Sequence, residues 1–190
     1  ITTALAQSQD QLRTTLESGT SSSVSTLVAT NERIRSELGG ALEYRDFWST
    51  KGSQDPKSGS IEIDGRERFR VYIATDTSAS RDRFTIAHEI GHYVLHYLWH
   101  LHRGEALGPT WASRYSTGTN DRAEWEANWF AAAFLMPKKA FEDAFQKYDR
   151  DLSAVARHFD VSGMAAEGRA TALGLTGEGW RTTMFPDSVG

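Results

Sequence analysis

The sequence predicts an α+β fold, and three stretches carry that prediction. Residues 83–96, Arg-Phe-Thr-Ile-Ala-His-Glu-Ile-Gly-His-Tyr-Val-Leu-His, read as a strongly apolar helix around the pattern His-Glu-x-x-His. Residues 121–137 read as a second, mostly apolar helix that stops at Pro137. Ahead of both, Ile61-Glu-Ile63 and Phe69-Arg-Val71-Tyr-Ile73 alternate apolar with polar residues about Asp64-Gly65, a hairpin signal and the seed of a small β-sheet.

In chain order, Leu5, Leu12 and Leu16 recur at helical spacing, and Ser18-Gly-Thr-Ser-Ser-Ser behind them reads as a flexible connector. Ser23 can cap a helix from Val24 to Leu38, ended by Gly39-Gly40. Ala41 to Trp48 reads as a short helix or turn anchored by Phe47 and Trp48, and 51–60, with Gly52, Pro56 and Gly59, as a loop. Three segments follow from this outline: an N-terminal helical extension with a Ser/Thr-rich connector over 1–45, a core over 46–137, and a helical subdomain with a tail over 138–190.

In the helix at 83–96 the apolar residues fall on two broad stripes, Phe84, Ala87, Gly91, Val94, Leu95 and Leu98 on one, Ile86, Ile90, Tyr93 and Tyr97 on the other. Only the strip of Thr85, His88, Glu89, His92 and His96 stays polar, so the helix is buried and this strip lines a cleft. Ser80 is the expected N-cap, with Asp82 at the positive end of the dipole. His88 and His92, one turn apart, can offer two imidazole nitrogens to one zinc ion. Glu89 then stands beside the metal, where a general base takes the proton of a hydrolytic water. The bland alternative is a core helix whose histidines are hydrogen-bonded; it would bury two imidazoles and a carboxylate at a cost.

A site with three protein ligands and an open corner needs one more donor, and cysteine is absent. In the second helix Glu124, Ala127, Asn128, Ala131 and Leu135 share a face. Its alanines, opposite Gly91, would let the two backbones approach until Glu124 reaches the metal. Glu126 points to the other side and is the weaker candidate, while Asn128 can hold a hydrogen bond to a ligand. Glu124 also has a structural reading, as the capping-box partner of Asp121, and His96 competes by repeating the four-residue spacing after His92.

Residues 100–119 join the two helices, with Gly104, Gly108, Pro109, Trp111 and Gly118; a connection this long is often functional, and Trp111 and Tyr115 either contact substrate or simply pack. Beyond Pro137, a helix around Phe141, Phe145 and Tyr148 precedes two more joined at Val161-Ser162-Gly163, the outline of a DNA-binding helix-turn-helix. Between 138 and 181 seven basic residues face seven acidic ones, which favours a helical pair packed on the core over a phosphate-binding surface. The whole chain of 190 residues, with 21 Lys+Arg and 25 Asp+Glu, has a formal charge of −4, so bulk charge does not direct it to polyanions, and direct nucleic-acid binding is not expected. No run approaches a membrane span, and a cytoplasmic protein is expected.

Arg-Phe-Thr-Ile-Ala-His-Glu-Ile-Gly-His, then Glu-x-x-Ala-Asn-x-Phe-Ala-Ala-x-x-Leu-Met-Pro, then Val-Ala-Arg-His-Phe-Asp-Val-Ser-Gly-Met-Ala with Arg169 and Leu173-Gly174-Leu175, resemble the ImmA/IrrE family of bacterial metallopeptidases over roughly 60–175. The resemblance implies a zincin-like, gluzincin-like fold with a small sheet, a central His-Glu-x-x-His helix and a C-terminal helical subdomain. It implies zinc held by His88, His92 and Glu124, with Glu89 as the catalytic base. The implied activity is zinc-dependent endopeptidase cleavage of a protein substrate, a helix-turn-helix transcriptional repressor, in mobile-element or stress-response control. In zincins an edge strand near the active helix pairs with extended substrate, which marks the hairpin edge as a docking rail unless the N-terminal helices cover it. Two other readings stay open: a DNA-binding regulator with structural zinc, and a zinc hydrolase of a small molecule or cell-wall peptide.

Overall fold

The computed structural model describes residues 23–45, 59–75, 77–105, 108, 110–113 and 121–176. The helix expected near the start, the Ser-rich connector, Phe47, Trp48, Tyr115 and the tail from 177 lie outside these residues, as does the side chain of Trp111. The chain divides into two compact units, 1–131 and 132–190. The division falls inside a helix, between Ala131 and Ala132.

The first unit is mixed α+β, as expected. Helix α1 (Ser23–Leu38) stops at Gly39, and β1 (Gly40–Arg45) follows at once. This stretch was expected to be helix or turn. It is instead a strand because it lies parallel on a neighbour, Gly40 opposite Phe69 through Arg45 opposite Ala74, and tertiary pairing overrides a weak local preference. Asn31 on α1 accepts a hydrogen bond from the Leu42 backbone N–H at 2.9 Å, tying helix to strand.

Strands β2 (Gly59–Gly65) and β3 (Arg68–Ala74) form the expected hairpin. Its turn is Arg66-Glu67, not Asp64-Gly65: a register shift between Ile63 and Gly65 lets Gly65 pair with Arg68, and Glu67 takes the left-handed conformation at φ 62°. The Glu67 N–H donates to the Tyr93 hydroxyl at 3.1 Å, which holds the turn against the helical layer. With β4 (Thr110–Ser113) antiparallel to β2, the sheet order is β1-β3-β2-β4. Both hairpin strands are therefore interior, and the expected docking rail on the hairpin edge is corrected: β1 and β4 are the edges of the described sheet.

Ile61, Ile63, Val71 and Ile73 are almost fully buried, and so are Ile86, Ile90 and Tyr93 of the long helical run that follows β3. Each such side chain contributes about 1.5–3 kcal/mol relative to exposure. That run begins as α2 (Ala79–Gly91), capped by Ser78, which accepts from the Arg81 N–H at 3.4 Å, rather than by Ser80; the helix starts two residues earlier than its polar flank suggests. Asp82 is in the first turn as expected. From His92 to Leu98 the run widens into a π-helix, the Trp99 N–H bonding to the Val94 carbonyl five residues back, and it ends in α3 (Trp99–His102).

Helix α4 (Asp121–Leu135) carries the second motif and crosses the unit boundary. The second unit continues with α5 (Lys138–Lys147), α6 (Leu152–Phe159) and α7 (Gly163–Ala172), the three helices read from the sequence. Phe141 stacks on Phe145 and Phe159 at 6.3 and 5.8 Å, and the α7 residue Arg169 donates to the Met136 carbonyl at 2.8 Å. Asp151 caps α6 and Ser162 caps α7. Among the described residues, no helix is long and apolar enough to cross a membrane.

Candidate metal centre

His88, Glu89 and His92 sit on consecutive turns of one helical run, which fixes two imidazoles on one face. All three are buried, with exposures of 0%, 0% and 3%. Glu124 reaches them from α4. Gly91 allows the close approach: a Cβ there would lie 3.2 Å from the Ala127 Cα and 3.1 Å from a Phe130 ring carbon, so its neighbours would have to give by a few tenths of an ångström. The glycine and the alanine face were the expected contact.

The three donors converge. His88 Nε2 and His92 Nε2 are 3.1 Å apart, His88 Nε2 is 3.2 Å from Glu124 Oε2, and His92 Nε2 is 3.2 Å from Glu124 Oε1. Ligand atoms about 2.0–2.1 Å from a tetrahedral zinc stand roughly 3.3 Å from one another, so this near-equilateral triangle fits one face of such a coordination sphere. Among the described residues it is the one group of three or more His, Cys, Asp or Glu side chains close enough to hold a metal ion. Two imidazole nitrogens and a carboxylate turned inward within a buried patch form a donor set that a cation satisfies. Burial pushes the Glu124 carboxyl up, but the two imidazoles beside it outweigh this and hold it down at about 2.

The outward nitrogens are engaged as well. His88 Nδ1 meets Asn128 Oδ1 at 3.0 Å, the supporting bond expected of Asn128. His92 Nδ1 meets His96 Nδ1 at 3.1 Å, and His96 Nε2 meets Glu126 Oε2 at 3.1 Å. Glu126 was expected to point away; it remains off the metal cluster but faces the same helical run, against His96. Burial pushes the His96 imidazole below its ordinary value, opposed by Glu126. Glu89 lies beside Gly59 at the start of β2, where a Cβ would overlap the Thr85 methyl and come 3.1 Å from Glu89 Oε1. Thr85 belongs to the polar strip expected to line the cleft, whereas Gly59 read only as loop composition. The Tyr93 hydroxyl accepts from the Glu67 N–H.

No curated protein matches this chain. Residues 41–171 match the family model described as the IrrE N-terminal-like domain, Peptidase M78. The match begins in β1, upstream of the stretch that the motifs mark, and runs to the end of α7, taking in every residue of the cluster. Covering well over half of the chain, it shows that the protein belongs to the ImmA/IrrE, Peptidase M78 family of metallopeptidases.

Proposed function

We propose that the protein is a zinc-dependent endopeptidase that cuts a protein substrate, a helix-turn-helix transcriptional repressor, within the cytoplasm. The observation that carries this reading is the convergence of His88, His92 and Glu124 at 3.1–3.2 Å with a buried Glu89 alongside. The family supports a peptidase, and its resemblance supplies the repressor as substrate and mobile-element or stress-response control as context.

His88, His92 and Glu124 would hold the metal, which when bound supplies Lewis acidity to a water and to the scissile carbonyl. Glu89 takes a proton from that water and returns it to the leaving amine, acting as base and then as acid. The Glu89 carboxylate is buried beside Gly59, where an added Cβ would come within 3.1 Å of its Oε1.

Replacing Glu89 with Gln keeps the shape and removes the base. The variant is expected to bind zinc at wild-type stoichiometry while cleavage falls by about a thousandfold or more. Cleavage is read by incubating the zinc-loaded protein with helix-turn-helix repressors encoded beside its gene and sizing the fragments by mass spectrometry. A Glu89→Gln protein that still cuts at the wild-type rate removes Glu89 from the role.

A further inference from the structure

The two imidazoles that face Glu124 are supported differently. His88 is held by an amide oxygen one helix away, whereas His92 is held by a second imidazole on its own helical run, and that imidazole by a carboxylate on α4. Glu126 in turn accepts from Arg122 Nε at 2.8 Å, at the solvent edge. The chain therefore runs from a buried nitrogen to the surface: His92, His96, Glu126, Arg122.

The direction of each bond is set from its outer end. A carboxylate accepts only, so His96 Nε2 donates to Glu126. A neutral His96 then has its lone pair on Nδ1 and accepts from His92 Nδ1. The proton of His92 is thereby held on Nδ1, which leaves the lone pair on Nε2, the nitrogen turned toward His88 and Glu124. The opposite tautomer would set two lone pairs against each other at 3.1 Å.

Simple satisfaction of a core histidine does not account for this arrangement. The His96 side chain is about a quarter exposed and Glu126 a third, so water could serve His96 Nε2 without a carboxylate. The π-helix adds a second observation. Its wider turn starts at His92 and changes how residues beyond it face α4, and π segments of this kind concentrate at functional sites.

The geometry points to His96 and Glu126 as positioning residues that fix the tautomer and ring orientation of His92 for metal binding. The inference rests on the reading of His88, His92 and Glu124 as ligands.

The test uses the full chain with cobalt(II), reading affinity by chelator competition and ligand geometry by visible absorption. His96→Leu is expected to weaken cobalt binding by about 10- to 100-fold and to shift the absorption bands. His96→Asn, whose amide oxygen stands where Nδ1 stood, is expected to recover most of the affinity. Glu126→Ala, at a partly exposed position that tolerates truncation, is expected to weaken binding several-fold with the fold retained. Wild-type affinity in both His96→Leu and Glu126→Ala overturns the inference, as does an equal loss in His96→Leu and His96→Asn, which marks a packing role. If His96→Leu does not fold, the Glu126→Ala affinity decides alone. A wild-type chain that binds no cobalt overturns the metal reading itself, a result distinct from a wild type that binds and variants that match it.

Discussion

At the scale of single residues the site is set by what small side chains permit as much as by what the donors supply. Gly59 leaves Glu89 its place: a Cβ would overlap the Thr85 methyl and press on the carboxylate. Gly59→Ala is therefore expected to lower cleavage more than it lowers zinc affinity, and to cost about 1–3 kcal/mol of stability, read by denaturant unfolding beside a peptidase assay. A Gly59→Ala protein with unchanged cleavage would mean that Glu89 does not depend on that close contact. That His88, His92 and Glu124 come together, with Asn128 against His88, was legible in the sequence, because four-residue spacing on a helix translates directly into a shared face. The link from Glu126 to His96 was not, since an α-helical wheel does not apply to a run that widens into a π-helix. Gly59 was equally illegible: a glycine near the start of a strand carries no signal of the helix that will pack on it.

At the scale of elements, the contact between α2 and α4 is what brings together candidate ligands 32 positions or more apart in the chain. It is a close contact, with Gly91 against the Ala127 backbone. Gly91→Val is expected to separate the helices and weaken zinc binding by at least about tenfold, by the same loss of ligand orientation that supporting-residue changes cause. Chelator competition measures it, and an unchanged affinity would show that Glu124 does not need the close approach. The small-residue faces of both helices made this contact readable in advance. The sheet was less so. The hairpin was visible in its alternation, but its turn lay two residues further on because of the irregularity at Ile63–Gly65, and β1 was invisible because parallel pairing is imposed by a distant partner rather than by local residues. For the same reason the interior position of both hairpin strands could not be foreseen.

At the scale of the whole molecule, His88, Glu89, His92 and Glu124 all lie in the unit 1–131, while 132–190 has its own aromatic stack and capped helices. The central claim is that side chains from two helices converge on one ion, and anomalous diffraction at the zinc edge from crystals of the zinc-loaded protein tests it most directly. One peak is expected, about 2.0–2.2 Å from His88 Nε2, His92 Nε2 and a Glu124 carboxylate oxygen. A peak bound elsewhere, or one from which Glu124 stands apart, would contradict the account.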